Sequence, residues 1–346
     1  MARDRARVGG DRGLSDTPLR ILMSRQAAAT LSAPLATVLG SRAHVLVAPE
    51  DPEAALADVA FVSRDVTGVS TKHRVLPDTQ RMYDALLHAP RLQWVHIHSA
   101  GADRPVYVAL RERGVPVATS SGANAPVVAQ TALLGLLALA RHWPSLMAAR
   151  RRHEWAPLIA TGLPRDLHGQ SAVIVGWGPV GQEIGRLLQA IGLSLTVVRR
   201  TAAAPASGIR TVADNHLHAV LPTADWLVLA CPLTRRTHGL IGARELALLR
   251  PHCGLVNVAR GEVVDEEALV AALRERRIAG AYLDVFAQEP LPADSPLWDL
   301  PNVILTPHSA GFSDGNEQRV ARMFLDNLAR WSRGEPLANI APVPGA

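Results

Sequence analysis

The chain of 346 residues is 48% hydrophobic and 19% charged, which is typical of a globular protein long enough for two domains. Its formal net charge is +5, but the arginines do not alternate with aromatic residues and no DNA-reading motif is present, so we expect no nucleic-acid binding. The two cysteines, Cys231 and Cys253, lack metal-ligand spacing and are too few for a disulfide framework. We therefore expect no metal site and a reducing compartment.

The first residues of the chain are charged and contain no apolar core of the kind found in secretion signals. The longest apolar stretch, residues 125–140, is short for spanning a bilayer. These features predict a cytoplasmic protein with no membrane partner, whose residues 1–17 form a disordered tail.

From Pro18 onward, short β-branched runs alternate with longer stretches rich in Ala and Leu. The runs predict strands at residues 43–47, 59–62, 94–98 and 115–118, with helices at residues 76–87 and 105–113 between them. This alternation predicts a parallel sheet with helices on its faces. A long helix from residue 125 to about residue 152 follows, and its nearly all-round apolar character predicts burial between layers.

A second series of strands and helices begins at Ser171, and the chain returns to helix after Ser309. We predict a helix at residues 180–191 and strands at residues 172–175, 194–198, 226–230, 254–258, 281–285 and 303–306. The sequence GWGPVG, residues 176–181, follows the first of these strands and opens the helix. Glycines at this spacing allow a tight turn and a close approach to a pyrophosphate at the helix N-terminus. The series therefore predicts a dinucleotide-binding domain, the alternative being a glycine-rich turn that binds no ligand.

The end of the next strand indicates which dinucleotide binds. An acid at this position usually binds the ribose hydroxyls of NAD, whereas Arg199 and Arg200 stand here. Two guanidiniums attract a 2′-phosphate and can bind it bidentately. We therefore expect NADP(H) to be preferred and NAD(H) to be possible. In the alternative, one arginine stacks on the adenine and the other is solvated.

Several ordered motifs resemble the D-isomer-specific 2-hydroxyacid dehydrogenases, nearest their glyoxylate/hydroxypyruvate reductase branch. Besides the glycine motif, they are VHIHSAGAD (95–103), CPLTRRTHGLI (231–241), NVARGEVVDEEAL (257–269), DVFAQEPL (284–291) and TPHSAG (306–311). The resemblance implies an α/β fold of two flavodoxin- or Rossmann-like domains, each a doubly wound parallel sheet, with a cleft between them. Residues 18–124 and 312–346 would form the substrate-binding domain, and residues 125–311 the NAD(P)-binding domain.

The resemblance also implies three catalytic residues, namely Arg260, Glu289 and His308. The Arg260 guanidinium would hold the substrate carboxylate and polarise the keto oxygen. His308 would donate a proton to that oxygen in reduction, and Glu289 would fix the tautomer of its imidazole. Taken singly, each residue has an ordinary alternative: a helix-flanking arginine, a surface acid and a capping histidine.

The remaining implied contacts surround these three residues. Ala100 and Gly101 would offer backbone N–H groups to the substrate carboxylate, completing a substrate set with Arg260 and His308. Asp284 could accept a hydrogen bond from the nicotinamide carboxamide, while Cys231 is not expected to be a nucleophile. The implied cofactor-binding residues are Gly176, Gly178, Pro179, Val180, Gly181, Arg199, Arg200, Cys231, Pro232, Thr237, Val258, Ala259, Asp284 and His308.

The sequence departs from the family pattern at two places. Gln130 stands where a Glu is common, and His96 and His98 flank the substrate loop where small or apolar residues are usual. The two histidines either decorate a strand, which we favour, or face the cleft and select a more polar or acidic substrate.

Together, the residues and the resemblance predict an NADPH-preferring 2-ketoacid reductase, or D-2-hydroxyacid dehydrogenase. Its substrate would be a small 2-keto acid such as glyoxylate or hydroxypyruvate. The resemblance also implies a homodimer. The alternative function is a dinucleotide-sensing protein of the co-repressor kind on the same fold, because a fold alone does not determine a function.

Overall fold

Short apolar runs form the strands of two parallel sheets in a computed structural model that describes residues 17–71, 74–201 and 209–343. Parallel strands are covered on both faces and therefore read as nearly continuous apolar runs. Apart from Thr17, the tail predicted to be disordered lies outside the described residues, and that prediction stays untested.

The first compact unit contains the described residues up to Ala123 and those from Asp314 onward. Its five strands pair in the order β2-β1-β3-β4-β5. The strands are β1 Leu19–Leu22, β2 His44–Val47, β3 Val59–Val62, β4 Trp94–Ile97 and β5 Val117–Thr119. The helices between them are α1 Arg25–Leu39, α2 Arg64–Thr67, α3 Pro77–Leu87 and α4 Pro105–Glu112.

The second compact unit, Asn124–Ser313, contains a seven-stranded sheet in the order β12-β11-β10-β9-β6-β7-β8. Its strands are β6 Ser171–Val175, β7 Ser194–Arg199, β8 Arg210–Ala213, β9 Trp226–Leu229, β10 Gly254–Asn257, β11 Gly280–Leu283 and β12 Val303–Leu305. Its helices are α5 Ala125–Ala140, α6 Trp143–Arg151, α7 Leu158–Thr161, α8 Pro179–Ala190, α9 Leu217–Val220, α10 Ala243–Leu248 and α11 Glu266–Arg274. The strand order reverses between β6 and β9, and ligands of open α/β sheets bind at the carboxyl ends of strands beside such a reversal.

Alternate side chains of the central strands in this sheet face two helical layers. In β9, Leu227 and Leu229 lie in one apolar cluster with residues of α10 and α11. Trp226 and Val228 lie in the other cluster, with residues of α5 and α8. The chain then returns to the first unit as α12, Asn316–Ser332, which packs against α1. These two parallel, helix-covered sheets confirm the predicted fold class.

The single long helix predicted over residues 125–152 is wrong. The chain instead forms α5 and α6, which are bent by 70° at a short break. His142 at the break has a φ of 54°, a left-handed conformation that is uncommon outside glycine. Pro144 follows in the first turn of α6 and has no backbone N–H with which to continue the hydrogen-bond ladder of α5.

The all-round burial predicted for this segment is also wrong. Leu134 of α5 is 66% exposed, and Ala149 is the buried residue of α6. In the described parts of the chain, no single helix is long and apolar enough to cross a membrane. Only α5 and α6 taken together, which are bent relative to each other, have the length and composition of a membrane span.

The amino ends of the central strands are tied together by one carboxylate, that of Asp225. Its oxygens accept hydrogen bonds from Arg165 (2.9 Å), His252 (2.9 Å) and the backbone N–H and hydroxyl of Ser171 (2.9 and 3.0 Å). Burial raises the pKa of Asp225, but these hydrogen bonds outweigh it and lower the pKa to about 2. This network lies at the edge of the sheet opposite the glycine motif.

Candidate active site

The glycine motif forms a tight turn between β6 and α8. Gly176 has a φ of 101°, and a Cβ there would lie 2.6 Å from the carbonyl oxygen of Ala230. A Cβ on Gly181 would lie 2.2 Å from the carbonyl oxygen of Gly176. By contrast, a Cβ on Gly178, the N-cap of α8, would meet no described heavy atom within 4 Å. The turn thus requires glycine for its own packing and leaves the start of α8 open, which fits a pyrophosphate at a helix N-terminus.

Two further predicted cofactor residues belong to the start of α8, and two to the end of β7. Pro179 lies in the first turn of the helix, where its missing N–H costs nothing, and Val180 follows it, partly buried. The backbone N–H of Gly176 donates to the carbonyl oxygen of Val198 in β7 (2.9 Å), so the end of that strand lies beside the glycine turn. Arg199, at that strand end, is partly buried and Arg200 is exposed.

The loop after β9 carries three more predicted cofactor residues. The Thr237 hydroxyl donates to the carbonyl oxygen of Pro232 (2.7 Å) and accepts from the backbone N–H of Thr234 (2.7 Å), which closes the loop on itself. Cys231 is buried, and burial raises the pKa of its thiol to about 11. The thiol is therefore protonated at neutral pH, in keeping with the expectation that Cys231 is not a nucleophile.

The loop after β10 is shaped by Asn257, whose role the sequence did not indicate. Its side-chain amide donates to the carbonyl oxygen of Arg260 (3.1 Å), and its side-chain oxygen accepts from the backbone N–H of Ala259 (3.0 Å). The Arg260 guanidinium in turn donates to the carbonyl oxygen of Ala259 (2.7 Å). Val258 precedes this turn and is partly buried. The side chain of Asn257, which is 1% exposed, thus fixes the conformation of the turn that carries Arg260.

His308 and Glu289 are in direct contact although 19 residues separate them. His308 Nδ1 lies 2.8 Å from Glu289 Oε2, and the other Glu289 oxygen accepts from the backbone N–H of Phe286 (3.1 Å). Burial raises the pKa of Glu289, but the hydrogen bond and charge of His308, the Phe286 N–H and the charge of Arg260 together lower it below its ordinary value. Glu289 is therefore ionised at neutral pH, so Nδ1 carries a proton and Nε2 is the nitrogen left for chemistry.

Asp284 holds the loop that carries His308. Its carboxylate is nearly buried and accepts hydrogen bonds from the Thr306 hydroxyl (2.6 Å) and from the backbone N–H groups of Ser309 (2.8 Å) and Ala310 (3.0 Å). The backbone N–H of His308 donates to the Asp284 carbonyl oxygen (2.8 Å). These bonds fix a loop in which His308 has a φ of 49°. The contact between Asp284 and a nicotinamide carboxamide stays a prediction.

A hydroxyl relay supports Asp284 from the strand side. Because the Thr306 hydroxyl donates to an acceptor-only carboxylate, the Tyr282 hydroxyl donates to Thr306 (2.6 Å). Neither residue was predicted to belong to the site. Thr306 stands in the TPHSAG motif directly before the His308 turn, so its position could have indicated a supporting role.

The predicted residues of the first unit lie in β4 or in the loop that follows its carboxyl end. Ala100 is exposed and Gly101 partly so, and no described residue accepts a hydrogen bond from the backbone N–H of either. His96 is fully buried, with Nε2 3.0 Å from the Ser120 hydroxyl, and burial lowers its pKa to about 3. It thus packs in the core, as we favoured. His98 lies at the strand end, 2.7 Å from the Thr67 hydroxyl.

Comparison with known proteins agrees with this geometry. Residues 133–310 match the family model described as the D-isomer specific 2-hydroxyacid dehydrogenase NAD-binding domain. The chain belongs to the D-isomer-specific 2-hydroxyacid dehydrogenase family. It is 34% identical to glyoxylate/hydroxypyruvate reductase B of Pectobacterium carotovorum over 81% of this chain and 88% of that protein. It is 36% identical to the glyoxylate reductase of Thermococcus gammatolerans over 72% of this chain and 75% of that protein.

Solved structures of the family have the same fold. A D-isomer-specific 2-hydroxyacid dehydrogenase of Xanthobacter autotrophicus, in complex with NADPH and MES, matches with a TM-score of 0.75 and 28% identity, covering 94% of this chain and 98% of its own. The NADPH-dependent glyoxylate/hydroxypyruvate reductase of Sinorhizobium meliloti, in complex with NADP and sulfate, matches with a TM-score of 0.75 and 26% identity, covering 94% and 99%. The predicted family is confirmed: the chain is an oxidoreductase of the CH–OH group that uses a nicotinamide dinucleotide.

Proposed function

We propose that this dehydrogenase reduces a small 2-keto acid, such as glyoxylate or hydroxypyruvate, to the D-2-hydroxy acid, with NADPH as the preferred cofactor. The observation that carries the proposal is the 2.8 Å contact between His308 and the ionised Glu289, in electrostatic reach of Arg260. The glyoxylate and hydroxypyruvate reductases to which the chain is similar support this substrate class.

In this proposal, each of the three residues has one task. A bound reduced nicotinamide supplies the hydride for the carbonyl carbon. Arg260 holds the substrate carboxylate and polarises the keto oxygen. His308 donates its Nε2 proton to that oxygen, and the negative Glu289 stabilises the imidazolium before transfer and keeps the proton on Nδ1 after it.

The NADP preference is assigned to Arg199 and Arg200 at the end of β7. Their guanidiniums would pair with a 2′-phosphate, which NAD lacks. The carboxylate of Asp214, which follows β8, accepts a hydrogen bond from the Arg236 guanidinium (2.7 Å). We expect the double variant Arg199→Gln/Arg200→Gln to lose at least about tenfold in kcat/KM with NADPH, the order of a charge-assisted hydrogen bond, and little with NADH. Arg210→Gln, an exposed arginine on the neighbouring strand, is the matched control.

The experiment that tests the reaction is oxidation of NADPH and of NADH by purified protein with glyoxylate, hydroxypyruvate, pyruvate and a bulky aromatic 2-keto acid. The same measurement is repeated with His308→Ala. Turnover that prefers NADPH and is lost in the variant supports the proposal. Tight cofactor binding without turnover of any acid refutes it and favours the dinucleotide sensor.

A homodimer formed through α5 and α6 is part of the proposal. These helices expose Leu134 and Trp143 and line a groove of about 720 Å³ that also includes Trp298. Contiguous exposed apolar side chains mark interaction surfaces. Light scattering should give a dimer mass for the wild type and a monomer mass for Leu134→Asp, and a monomeric wild type would contradict this.

We also propose a cytoplasmic location. Cys231 and Cys253 are free and buried, which fits a reducing compartment. Fractionation of cells that express the protein tests this assignment.

A further inference from the structure

The carboxyl edge of the five-stranded sheet carries basic side chains that the proposed mechanism does not use. Arg64 begins α2 directly after β3, Arg104 directly precedes α4, and His98 follows β4. The backbone N–H of His98 donates to the carbonyl oxygen of Val62, the last residue of the neighbouring parallel strand β3 (3.0 Å). The residues that follow β3 and β4 therefore lie at the same edge of the sheet. Ala100 and Gly101, the proposed substrate loop, come two and three residues after His98.

Arg104 is fixed in place by neutral groups. One guanidinium nitrogen donates to the Tyr83 hydroxyl (2.7 Å), and another donates to the carbonyl oxygen of Ser70 (2.6 Å). Neither acceptor carries a negative charge, so these bonds orient the guanidinium without neutralising it. These two bonds use two of the five N–H donors of the guanidinium.

Helix α2, which begins at Arg64, lies beside both Arg104 and His98. The Thr67 hydroxyl of α2 donates to the carbonyl oxygen of Arg64 (3.2 Å) and lies 2.7 Å from His98 Nε2, and the Ser70 carbonyl that Arg104 binds comes three residues after α2. Burial lowers the pKa of the Arg64 guanidinium, the positive charge of Arg104 lowers it further, and the negative charge of Glu317 raises it. Burial lowers the pKa of His98 to about 3, and the charges of Arg64 and Arg104 act in the same direction. An anion stabilises two guanidiniums that repel each other where water is partly excluded. A planar guanidinium can donate two parallel hydrogen bonds to one carboxylate or phosphate, which makes these two groups suitable ligands.

We propose that Arg64 and Arg104 bind a second anionic group of the substrate, so that the enzyme prefers 2-keto acids that carry another carboxylate or a phosphate. His98, neutral and held by Thr67, would line this subsite. The proposal rests on the proposed reductase function and narrows its substrate class. The shared chemistry is a 2-keto acid with a second anionic group, and the assay distinguishes a carboxylate from a phosphate as that group.

The test compares kcat/KM within two substrate pairs in which the members differ by the second charge. Oxaloacetate is paired with 2-oxobutyrate, and phosphohydroxypyruvate with hydroxypyruvate. We expect the charged member of at least one pair to be favoured by about tenfold or more, the order of a charge-assisted hydrogen bond. The pair that shows the preference identifies a carboxylate or a phosphate as the second group.

Variants of Arg64 assign the preference to this cluster. Arg64→Gln should lower the ratio of kcat/KM for the charged substrate to kcat/KM for the uncharged one by about tenfold. Arg64→Lys keeps the positive charge but loses the paired hydrogen bonds of the guanidinium, and should lower this ratio less. Arg113→Gln removes an exposed arginine of the same unit, one bonded to the Leu87 carbonyl oxygen (2.7 Å), and should leave the ratio unchanged. Ratios near one in the wild type, or a ratio that Arg64→Gln does not change, overturn the proposal.

A binding measurement separates failure of this subsite from failure of the reductase. The shift in unfolding temperature on adding oxaloacetate or 2-oxobutyrate is measured with NADPH present, for the wild type and for Arg64→Gln. If no acid is turned over, the reductase proposal fails. A larger shift with oxaloacetate that Arg64→Gln abolishes still supports the anion subsite, whereas equal shifts overturn it.

Discussion

Gly135 of α5 lies against the ring of Tyr282, and replacing it with alanine tests how closely this helix packs on the sheet. A Cβ at position 135 would lie 2.2 Å from Cγ of Tyr282 and 2.5 and 2.6 Å from its two Cδ atoms. Carbon atoms normally approach to about 3.5 Å, so roughly 1.3 Å must be regained by movement. The contact is with the base of a ring that is 2% exposed, so turning the ring about its own axis does not relieve it.

Two opposing effects set the size of the change in stability. Alanine favours a helix interior over glycine by about 1 kcal/mol. Overpacking of a well-filled core costs about 1–3 kcal/mol and occasionally more, and the 2.2 Å approach belongs to the upper end of that range. We expect Gly135→Ala to lower the free energy of unfolding by about 2 kcal/mol, measured by urea denaturation.

A double-mutant cycle separates the clash from other effects. Tyr282→Val removes the ring and destabilises by leaving a cavity, but in the double variant the new methyl group meets no ring. The cost of Gly135→Ala should therefore be much smaller in the Tyr282→Val background than in the wild type. Equal costs in both backgrounds, or an increase in stability with Gly135→Ala alone, would refute this reasoning.

Three further predictions concern carboxylates. The folded pKa of Asp225, about 2, is below an unfolded value of about 3.9, so its stabilisation is present above pH 4 and is lost as the pH falls toward 2. Asp225→Asn should thus lower the unfolding free energy by about 2 kcal/mol at pH 7, with a difference from wild type that shrinks in acid; a difference independent of pH argues against this. Glu289→Gln should lower kcat by about a hundredfold with little change in KM, and an unchanged kcat would show that His308 does not depend on the charge. Asp284→Asn should lower both kcat and stability, the latter by about 2 kcal/mol, and a normal urea midpoint would contradict its role in holding the loop.

The alternation of apolar runs and helical stretches was enough to predict both parallel sheets, because strands such as β3 and β9 are buried along their whole length. Two elements at the start of the chain were not predicted. β1 is a four-residue strand that contains Arg20, and α1 contains Pro34, which normally indicates the end of a helix. The break between α5 and α6 was missed because the predicted helix was extended past Pro144, a residue that normally ends or kinks a helix.

The candidate site was predictable to the extent that its residues stand in recognisable motifs. His308 and Glu289 follow neighbouring strands, so parallel pairing of β11 and β12 brings their loops together. Asn257 and Thr306 act through hydrogen bonds to loop atoms, and such bonds depend on a backbone geometry that spacing does not reveal. Sequence patterns therefore indicate which side chains carry the chemistry more readily than which side chains hold them in place.

Asp284 holds the His308 loop and is also the residue that we predict to accept a hydrogen bond from the nicotinamide carboxamide. An ionised carboxylate has about four lone-pair sites, and the Thr306 hydroxyl and the backbone N–H groups of Ser309 and Ala310 occupy most of them. A carboxamide bound there would share a group that already sets the conformation of the His308 loop. The same three donors, left without this acceptor, would be partly buried and unpaired, which costs about 1–3 kcal/mol for each. Cofactor binding at Asp284 and the placement of the general acid would then depend on one another, because both are set by the same two oxygens.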